Sequence, residues 1–243
     1  MFLSRIVIDI GDNPDREQPG QRWLRNLYHV HQRLCMAFPS DSQLSDDKDF
    51  LKSYKPEEFG AGQVHVDRHK TKAGFLFRVD PHPGKSVAIL VQSAMKPDWE
   101  YAFHNAGYLL ATPPQVKQFD PQFGKDQRLR FRLRANPTKR VGADKADDRL
   151  AGKRVQLFGE EQQLDWLRRQ GERYGFALID CRVSSVETQR SRKPEKSEEI
   201  RHQAVTFDGL LQVTDPAAFL SALESGIGPA KGFGFGLLSV ARG

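Results

Sequence analysis

One histidine of this chain stands where a helix could present it for proton transfer. Within residues 24–34, Tyr28 precedes His31 by three positions, so on a helix their side chains are neighbours. The pKa of an unperturbed histidine is about 6.5, so His31 could serve as acid or base near neutral pH, where a phenol is a proton donor. However, Leu27 and Leu34 lie on the same helical face, where a core histidine bonded to backbone is the more frequent occurrence. Both interpretations are open.

Arginine occupies every second position between residues 128 and 134, and leucine or phenylalanine occupies the positions between. This period of two predicts a β-strand with one buried apolar face and one arginine face. Successive arginines repel one another unless an anion lies against them, whereas a merely solvated face ordinarily mixes charges. We therefore expect contact with an RNA backbone, because phosphates dominate nucleic-acid affinity. The basic residues of this segment are Arg128, Arg130, Arg132, Arg134, Lys139 and Arg140.

The composition favours an intracellular protein with a polyanionic partner. The 243 residues contain 37 Lys and Arg against 31 Asp and Glu, a net charge of +6, and this excess favours nucleic acid. Cys35 and Cys181 match no metal-ligand spacing and indicate a reducing cytosol. No apolar run reaches the roughly 18 residues of a membrane span, and no signal-peptide core is present. We expect a soluble cytoplasmic protein.

A glycine-rich stretch near the C-terminus follows a strong helix signal. Asp215 is a predicted N-cap, Pro216 suits the first helical position, and a short apolar strand comes after the glycines. Nucleotide-binding loops run from a strand into a helix, the opposite order, so a nucleotide site is not expected. Five glycines in so short a stretch indicate positive φ or close backbone approach. They are Gly226, Gly228, Gly232, Gly234 and Gly236.

We also expect no metal and no other cofactor. Clustered carboxylates and His/Cys cages with metal-ligand spacing are missing from the sequence. His65 and His69 are four residues apart, which would suit a metal on a helix. Val64 and Val66 indicate extended chain instead.

The first half is predicted to hold strands at residues 2–10, 75–79 and 87–92. Its helix begins after the N-cap Asn26. Residues 41–71 read as a long charged loop, and Pro113-Pro114 as another loop before a domain boundary near residue 125.

The second half adds to the arginine strand a short strand at 154–158 and a helix at 160–174. Strands at 176–183 and 204–207 follow, and Asp208-Gly209 is a strong two-residue hairpin signal leading into residues 210–213. With the last helix and strand this is a ferredoxin-like βαββαβ pattern with one inserted hairpin, whose charged tip is residues 189–199. Residues 144–148 are predicted to form a charged turn.

Four segments resemble the CasE family, the precursor-RNA processing endoribonucleases of type I-E CRISPR systems, within the repeat-associated RNA-processing superfamily. The segments are residues 24–34, 89–99 (ILVQSAMKPDW), 129–140 (LRFRLRANPTKR) and 226–240, in the family's order. The resemblance implies an α+β fold of tandem ferredoxin-like (RRM-like) βαββαβ domains with a glycine-rich loop before the last strand. The domains would be residues 1–125, carrying the catalytic helix, and 126–243, carrying a basic hairpin and the loop.

By this resemblance Tyr28 and His31 are the catalytic residues, and the protein cuts RNA without a metal. The 2′-hydroxyl would attack the adjacent phosphate and leave a 2′,3′-cyclic phosphate. Arg190, Arg192 and Lys193 would grip the repeat stem-loop, and Lys231 would supply charge at the phosphate. The partners implied are the CRISPR repeat RNA, retained as the crRNA 3′ handle, and other subunits of the Cascade complex.

Two alternatives belong to another class. A non-catalytic RNA-binding subunit of the same assembly would share the fold and the glycine loop, and Tyr28 and His31 argue against it. A generic ferredoxin-like RNA-binding module would need surface aromatics on its strand. Phe131 is the aromatic residue of the arginine strand, and the period places it on the apolar face.

Overall fold

The computed structural model describes residues 1–11, 18–38, 74–82, 86–142, 152–192 and 199–243. The chain divides into two compact units, Met1–Asp120 and Pro121–Gly243. The predicted loop at 41–71, the pair His65 and His69, and the charged turn at 144–148 lie outside the described residues. Within the described ranges, no helix has both the length and the apolar character that a membrane crossing requires.

The first unit is a four-stranded antiparallel sheet with helices between its strands. The strands are β1 (Phe2–Asp9), β2 (Phe75–His82), β3 (Ser86–Ser93) and β4 (Leu110–Gln118). The helices are α1 (Pro19–Leu24), α2 (Leu27–Cys35) and α3 (Trp99–Phe103), and a 3₁₀ segment, His104–Leu109, leads into β4. The order across the sheet is β2-β3-β1-β4, which with this sequence of elements is the ferredoxin-like pattern.

The core of this unit holds α2 against the sheet. Ile6 and Ile8 of β1 are fully buried, because alternate side chains of a strand point to the same face. They share one apolar cluster with Leu27, Val30 and Leu34, which recur at helical spacing along α2. Burying each such side chain contributes about 1.5–3 kcal/mol. The helix that carries Tyr28 and His31 is thereby anchored.

The prediction of a loop at Pro113-Pro114 is wrong, because both prolines lie within β4. Among the strands that the structure describes, β4 is an edge strand and pairs with β1 alone. Its register against β1 shifts between the pairs Arg5–Gln115 and Val7–Thr112, and the prolines fall in that interval. An edge strand tolerates proline at an irregularity, since no ladder hydrogen bond is lost there.

The second unit repeats the pattern with a longer sheet. Its elements are β5 (Arg128–Ala135), β6 (Thr138–Arg140), β7 (Arg154–Gln156), α4 (Glu160–Tyr174), β8 (Phe176–Arg192), β9 (Glu199–Val213), α5 (Pro216–Ser225) and β10 (Leu238–Arg242). The sheet order is β10-β5-β9-β8, and β6 pairs with β7 as a separate two-stranded ribbon. The α+β class and the tandem ferredoxin-like arrangement are therefore confirmed.

The prediction of a turn at Asp208-Gly209 is wrong, because β9 continues through both residues. Gly209 lies opposite Phe131 on one neighbouring strand. On the other neighbour, β8 shifts register next to Asp180. A Cβ on residue 209 would lie 2.1 Å from the backbone oxygen of Asp180. Glycine is therefore needed here for close strand approach at a bulge.

The last helix is bounded as its sequence predicts. The side chain of Asp215 accepts hydrogen bonds from the backbone N–H groups of Ala217 and Ala218, at 3.0 and 3.1 Å. Pro216 opens α5, and Gly226 ends it with a φ of 76°. The bounds of this helix are thus set by residues at its own ends rather than by the elements that pack against it.

Candidate functional site

His31 lies on α2 among aromatic rings and one thiol. The side chain of Asn26 accepts a hydrogen bond from the backbone N–H of Tyr28 at 3.2 Å, which confirms the predicted N-cap. The His31 ring stacks on Phe75 and Phe77 of β2, with centroid distances of 5.3 and 6.1 Å. The helix start and the sheet thus fix where the imidazole lies.

The two nitrogens of His31 have different surroundings. Nε2 lies 3.6 Å from the Sγ atom of Cys35, one turn further along α2. Nδ1 is buried. The Tyr28 ring is half-buried and lies beside His29, with centroids 6.2 Å apart.

The arginine strand has the two faces that its period predicts. Leu129, Phe131 and Leu133 are buried, at 3%, 5% and 0% exposure. Arg128 and Arg130 are exposed, as is Arg132, whereas Arg134 is half-buried. The predicted strand, with an apolar face and an arginine face, is confirmed.

Two of the four arginines are neutralised by the protein itself. Arg132 makes a two-point ion pair with the carboxylate of Asp208 on β9, at 2.7 and 3.1 Å. Burial alone would raise the pKa of Asp208, but hydrogen bonds from Arg132 and Ser184 and the nearby arginine charge hold it below its usual range. Arg134 donates to Glu187 and Gln189 of β8, each at 3.3 Å.

These ion pairs limit the argument from repulsion. An external anion is not needed to explain Arg132 and Arg134, because carboxylates of β9 and β8 already pair with them. Arg128 and Arg130 form no ion pair with any carboxylate in the described part of the chain. We therefore expect an external anion at these two arginines.

A cluster around His202 was not foreseen from the sequence. The side-chain amide of Asn136 donates to Nδ1 of His202 at 3.1 Å. The His202 ring lies 4.8 Å from that of Phe233 and 5.8 Å from that of Phe235. Arg134 stands over Phe235, its guanidinium carbon 5.7 Å from the ring centroid. Burial lowers the pKa of His202, so the imidazole is neutral at pH 7.

The glycine-rich loop folds back on its own unit. A Cβ on Gly228 would lie 3.0 Å from the Trp166 ring, and one on Gly236 would lie 2.9 Å from the Ile227 carbonyl oxygen. Both residues have positive φ, 87° and 89°. The backbone N–H of Ile227 donates to the Gly236 carbonyl at 2.9 Å and closes the loop. Close packing thus requires glycine at these two positions.

Lys231 opens a 3₁₀ turn, Lys231–Phe233, within this loop. Its side chain is half-buried, and burial followed by the charge of Arg173 lowers the pKa of its ammonium. A cation depleted of solvation interacts more strongly with a phosphate than a fully hydrated one. The loop therefore presents one partly desolvated positive charge.

The other predicted residues are spread over the second unit. Lys139 and Arg140 are exposed on β6, and Arg190 is exposed on β8. The backbone of Arg192 ends β8, while Lys193 lies outside the described residues. Tyr28 and His31 lie in the first unit. Across the described ranges no three His, Cys, Asp or Glu side chains come together in a way that could hold a metal ion.

Comparisons with known proteins match the whole chain. A family model described as CRISPR associated protein covers residues 1–242. The CRISPR-associated endoribonuclease Cse3 of Thermus thermophilus is 38% identical over 99% of this chain and 100% of its own. The Cascade subunit CasE of Escherichia coli is 31% identical over 99% of both chains.

A solved structure agrees with these sequence matches. Thermus thermophilus Cse3 bound to an RNA representing a pre-cleavage complex is similar with a TM-score of 0.69 and 30% identity, over 99% of this chain and 98% of that one. Sequence and fold thus agree over both units. The chain belongs to the CasE family of CRISPR-associated proteins.

Proposed function

We propose that this protein is a metal-independent endoribonuclease that cleaves precursor CRISPR RNA in the cytoplasm and stays bound to the product as a Cascade subunit. The observation that carries the proposal is its full-length similarity to a relative named as a CRISPR-associated endoribonuclease. A solved relative held a pre-cleavage RNA, and another is named as a Cascade subunit. The RNA would be the hairpin of the CRISPR repeat, kept as the crRNA 3′ handle.

The chemistry uses groups that the chain itself supplies. The 2′-hydroxyl of the RNA attacks the adjacent phosphorus, the bond to the 5′-oxygen breaks, and the products carry a 2′,3′-cyclic phosphate and a 5′-hydroxyl. This step needs one proton acceptor, one proton donor and positive charge at the phosphate. His31 would move one of the two protons, the role that the family resemblance gives it, and its Nε2 lies 3.6 Å from the Cys35 Sγ atom. Tyr28 would donate a proton or orient the phosphate.

The cations would belong to the second domain. We propose that residues 126–243 hold the RNA and that residues 1–125 carry the catalytic helix. Arg128, Arg130 and Arg190 are exposed and would contact phosphates, as would Lys139 and Arg140. Arg132 and Arg134 would contribute less, since carboxylates already pair with them. Arg192 and Lys193 are assigned to the RNA stem by the family resemblance, and Lys231 to the reacting phosphate.

The test is a cleavage assay on the repeat hairpin in EDTA, with wild type, His31→Ala and His29→Ala. His29 is exposed on the same helix and serves as the matched control. Wild type should form a cyclic phosphate, His31→Ala should lose about 10²–10⁴-fold in rate, and His29→Ala should keep its activity. Equal activity of His31→Ala and wild type would remove His31 from the reaction.

A second candidate, the non-catalytic RNA-binding subunit, is favoured by one observation. His31 stacks on Phe75 and Phe77 as a core histidine would. If this candidate is right, wild type binds the hairpin without cutting it, and His31→Ala lowers the melting temperature of the first unit without changing RNA affinity. The same assay, run with an anisotropy measurement, separates the two functions.

A further inference from the structure

The β6–β7 ribbon brings two arginines together. Arg140 of β6 lies directly opposite Arg154 of β7. Side chains directly opposite in an antiparallel pair share one face, and like charges in that position repel each other. Both arginines are exposed. Arg140 donates from Nε to the carbonyl of Gly152 at 3.2 Å.

These two arginines differ from the neutralised pair of the main sheet. Arg132 and Arg134 pair with carboxylates of β9 and β8, respectively. Within residues 86–142, 152–192 and 199–243, no carboxylate pairs with Arg140 or Arg154. A bound anion would remove the repulsion between them, and a bridging phosphate oxygen matches the forked geometry of guanidinium groups.

An aromatic side chain stands in solvent just beyond this ribbon. Phe158 is 74% exposed, whereas its neighbour Leu157 is 3% exposed. Hydrogen bonds hold the backbone at Phe158 in place. The fully buried side chain of Gln163 donates from Nε2 to the carbonyl oxygens of Leu157 and Phe158, at 2.9 and 3.3 Å. The ring therefore extends from an anchored backbone rather than from a loose tip.

The chain separates Arg154 from Phe158 by four residues, a span of at most roughly 13 Å when extended. A short single-stranded RNA segment could therefore place a phosphate at the arginines and a base on the ring. Bases stack on aromatic rings with little sequence preference, and such platforms are typical of single-strand binding. A pair of arginines that no described carboxylate neutralises, combined with an anchored, exposed ring, fits an unpaired nucleotide.

We propose that Arg140, Arg154 and Phe158 form a contact for a single-stranded segment next to the repeat hairpin. The arginine pair holds a backbone phosphate, and Phe158 stacks on an unpaired base. This inference rests on the proposed function as an RNA-binding protein, and it does not depend on cleavage. Arg140 was already among the basic residues that the sequence predicts to contact RNA, whereas Arg154 and Phe158 are new.

The test measures RNA affinity of the full chain by fluorescence anisotropy. Two RNAs from the host's own CRISPR array are compared, a repeat hairpin with its single-stranded flanks and the same hairpin without flanks. The variants are Arg154→Ala and Phe158→Ala. The controls are Arg169→Ala, an exposed cation on α4, and Ile179→Ala, an apolar residue of β8 that is 45% exposed.

Phe158→Ala should weaken binding of the flanked RNA about 10-fold, leave the flankless hairpin unaffected, and keep its salt dependence. Phe158→Trp should retain the affinity, because the stacking surface is kept. Arg154→Ala should lower the slope of log affinity against log salt by about 0.7, the value of one single-strand phosphate. Both controls should match wild type.

If Phe158→Ala and Arg154→Ala bind both RNAs as the controls do, the inference is overturned and the proposed function stands. The same conclusion follows if these variants bind RNA normally but fail to join other Cascade subunits, since the surface then belongs to a protein contact. If wild type binds neither RNA, the proposed function itself fails, and this inference with it.

Discussion

Arg130 and Arg132 provide a direct test of whether internal ion pairs decide which arginines bind RNA. They lie two positions apart on the same face of β5, and both are exposed. Asp208 holds Arg132 at two points, whereas Arg130 forms no ion pair with a described carboxylate. We expect Arg130→Ala to remove a phosphate contact and Arg132→Ala chiefly to remove an ion pair within the sheet.

The magnitudes follow from counterion release and from surface ion-pair energies. One phosphate contact contributes about 0.9 to the slope of log affinity against log salt on a duplex. When salt rises from 50 to 200 mM, the affinity of wild type should therefore fall by a factor roughly 3.5 times larger than that of Arg130→Ala. The side chains of Arg132 and Asp208 are 47% and 17% exposed, and pairs so open to solvent contribute about 1 kcal/mol at most. For a unit of this size that equals about 4 °C in melting temperature.

The assay is anisotropy on the repeat hairpin at four salt concentrations, combined with thermal melting of each variant. The variant Asp208→Asn is measured beside them. It removes the charge that pairs with Arg132, so the salt slope should become steeper by up to the value of one phosphate contact. A salt slope that falls equally in Arg130→Ala and Arg132→Ala would refute the reasoning, since the ion pair would then not withhold Arg132 from RNA. An unchanged slope in Arg130→Ala would refute it as well.

Three further predictions concern the second unit. Gly209→Ala should destabilise it by about 2–3 kcal/mol, because the added Cβ meets a backbone oxygen at 2.1 Å; Gly124→Ala, whose Cβ meets nothing within 4 Å, should melt as wild type. Asp215→Ala should lower stability by about 1 kcal/mol in urea unfolding, since it removes the cap of α5. His202 has a lowered pKa in the fold, so the unfolded chain binds its proton first and stability should fall as pH drops below about 6.5. Urea unfolding between pH 5 and 8 should show a flatter dependence for His202→Gln, and an identical dependence would contradict this.

Features set by local sequence were predicted well. The cap residues Asn26 and Asp215 bond the backbone of their own helices, and α4 spans the predicted residues 160–174. The period of two along β5 gave both of its faces correctly. Such signals act within a few residues of the chain, so no knowledge of the tertiary neighbours is needed.

Features set by neighbouring strands were predicted badly. Asp208-Gly209 has the composition of a tight turn, but strands on both sides of β9 hold it extended. Pro113-Pro114 has the composition of a loop, but it lies at an irregular edge of the first sheet. In both cases the local preference was real, and pairing across the sheet outweighed it.

The candidate site shows the same division. The sequence supplied Tyr28, His31 and the arginine face, but it could not show that Asp208 pairs with Arg132, since 76 positions separate them. Nor could it find His202 among the loop phenylalanines. The exposure of Phe158 likewise carried no sequence signal, because an isolated phenylalanine beside a buried leucine reads as core.

The cations available to RNA therefore have to be identified from their ion pairs in the fold rather than from the net charge of the chain. A net charge of +6 states only an excess, whereas RNA responds to cations that lack an internal anion. On β5 the carboxylates of two other strands remove half of the arginine row from that set. The β6–β7 ribbon contributes a pair of arginines that no described carboxylate neutralises. Because the proposed catalytic residues belong to the first unit and these cations to the second, His31→Ala should slow cleavage about 10²–10⁴-fold with the RNA affinity retained. Loss of both in His31→Ala would show that the two functions share one surface.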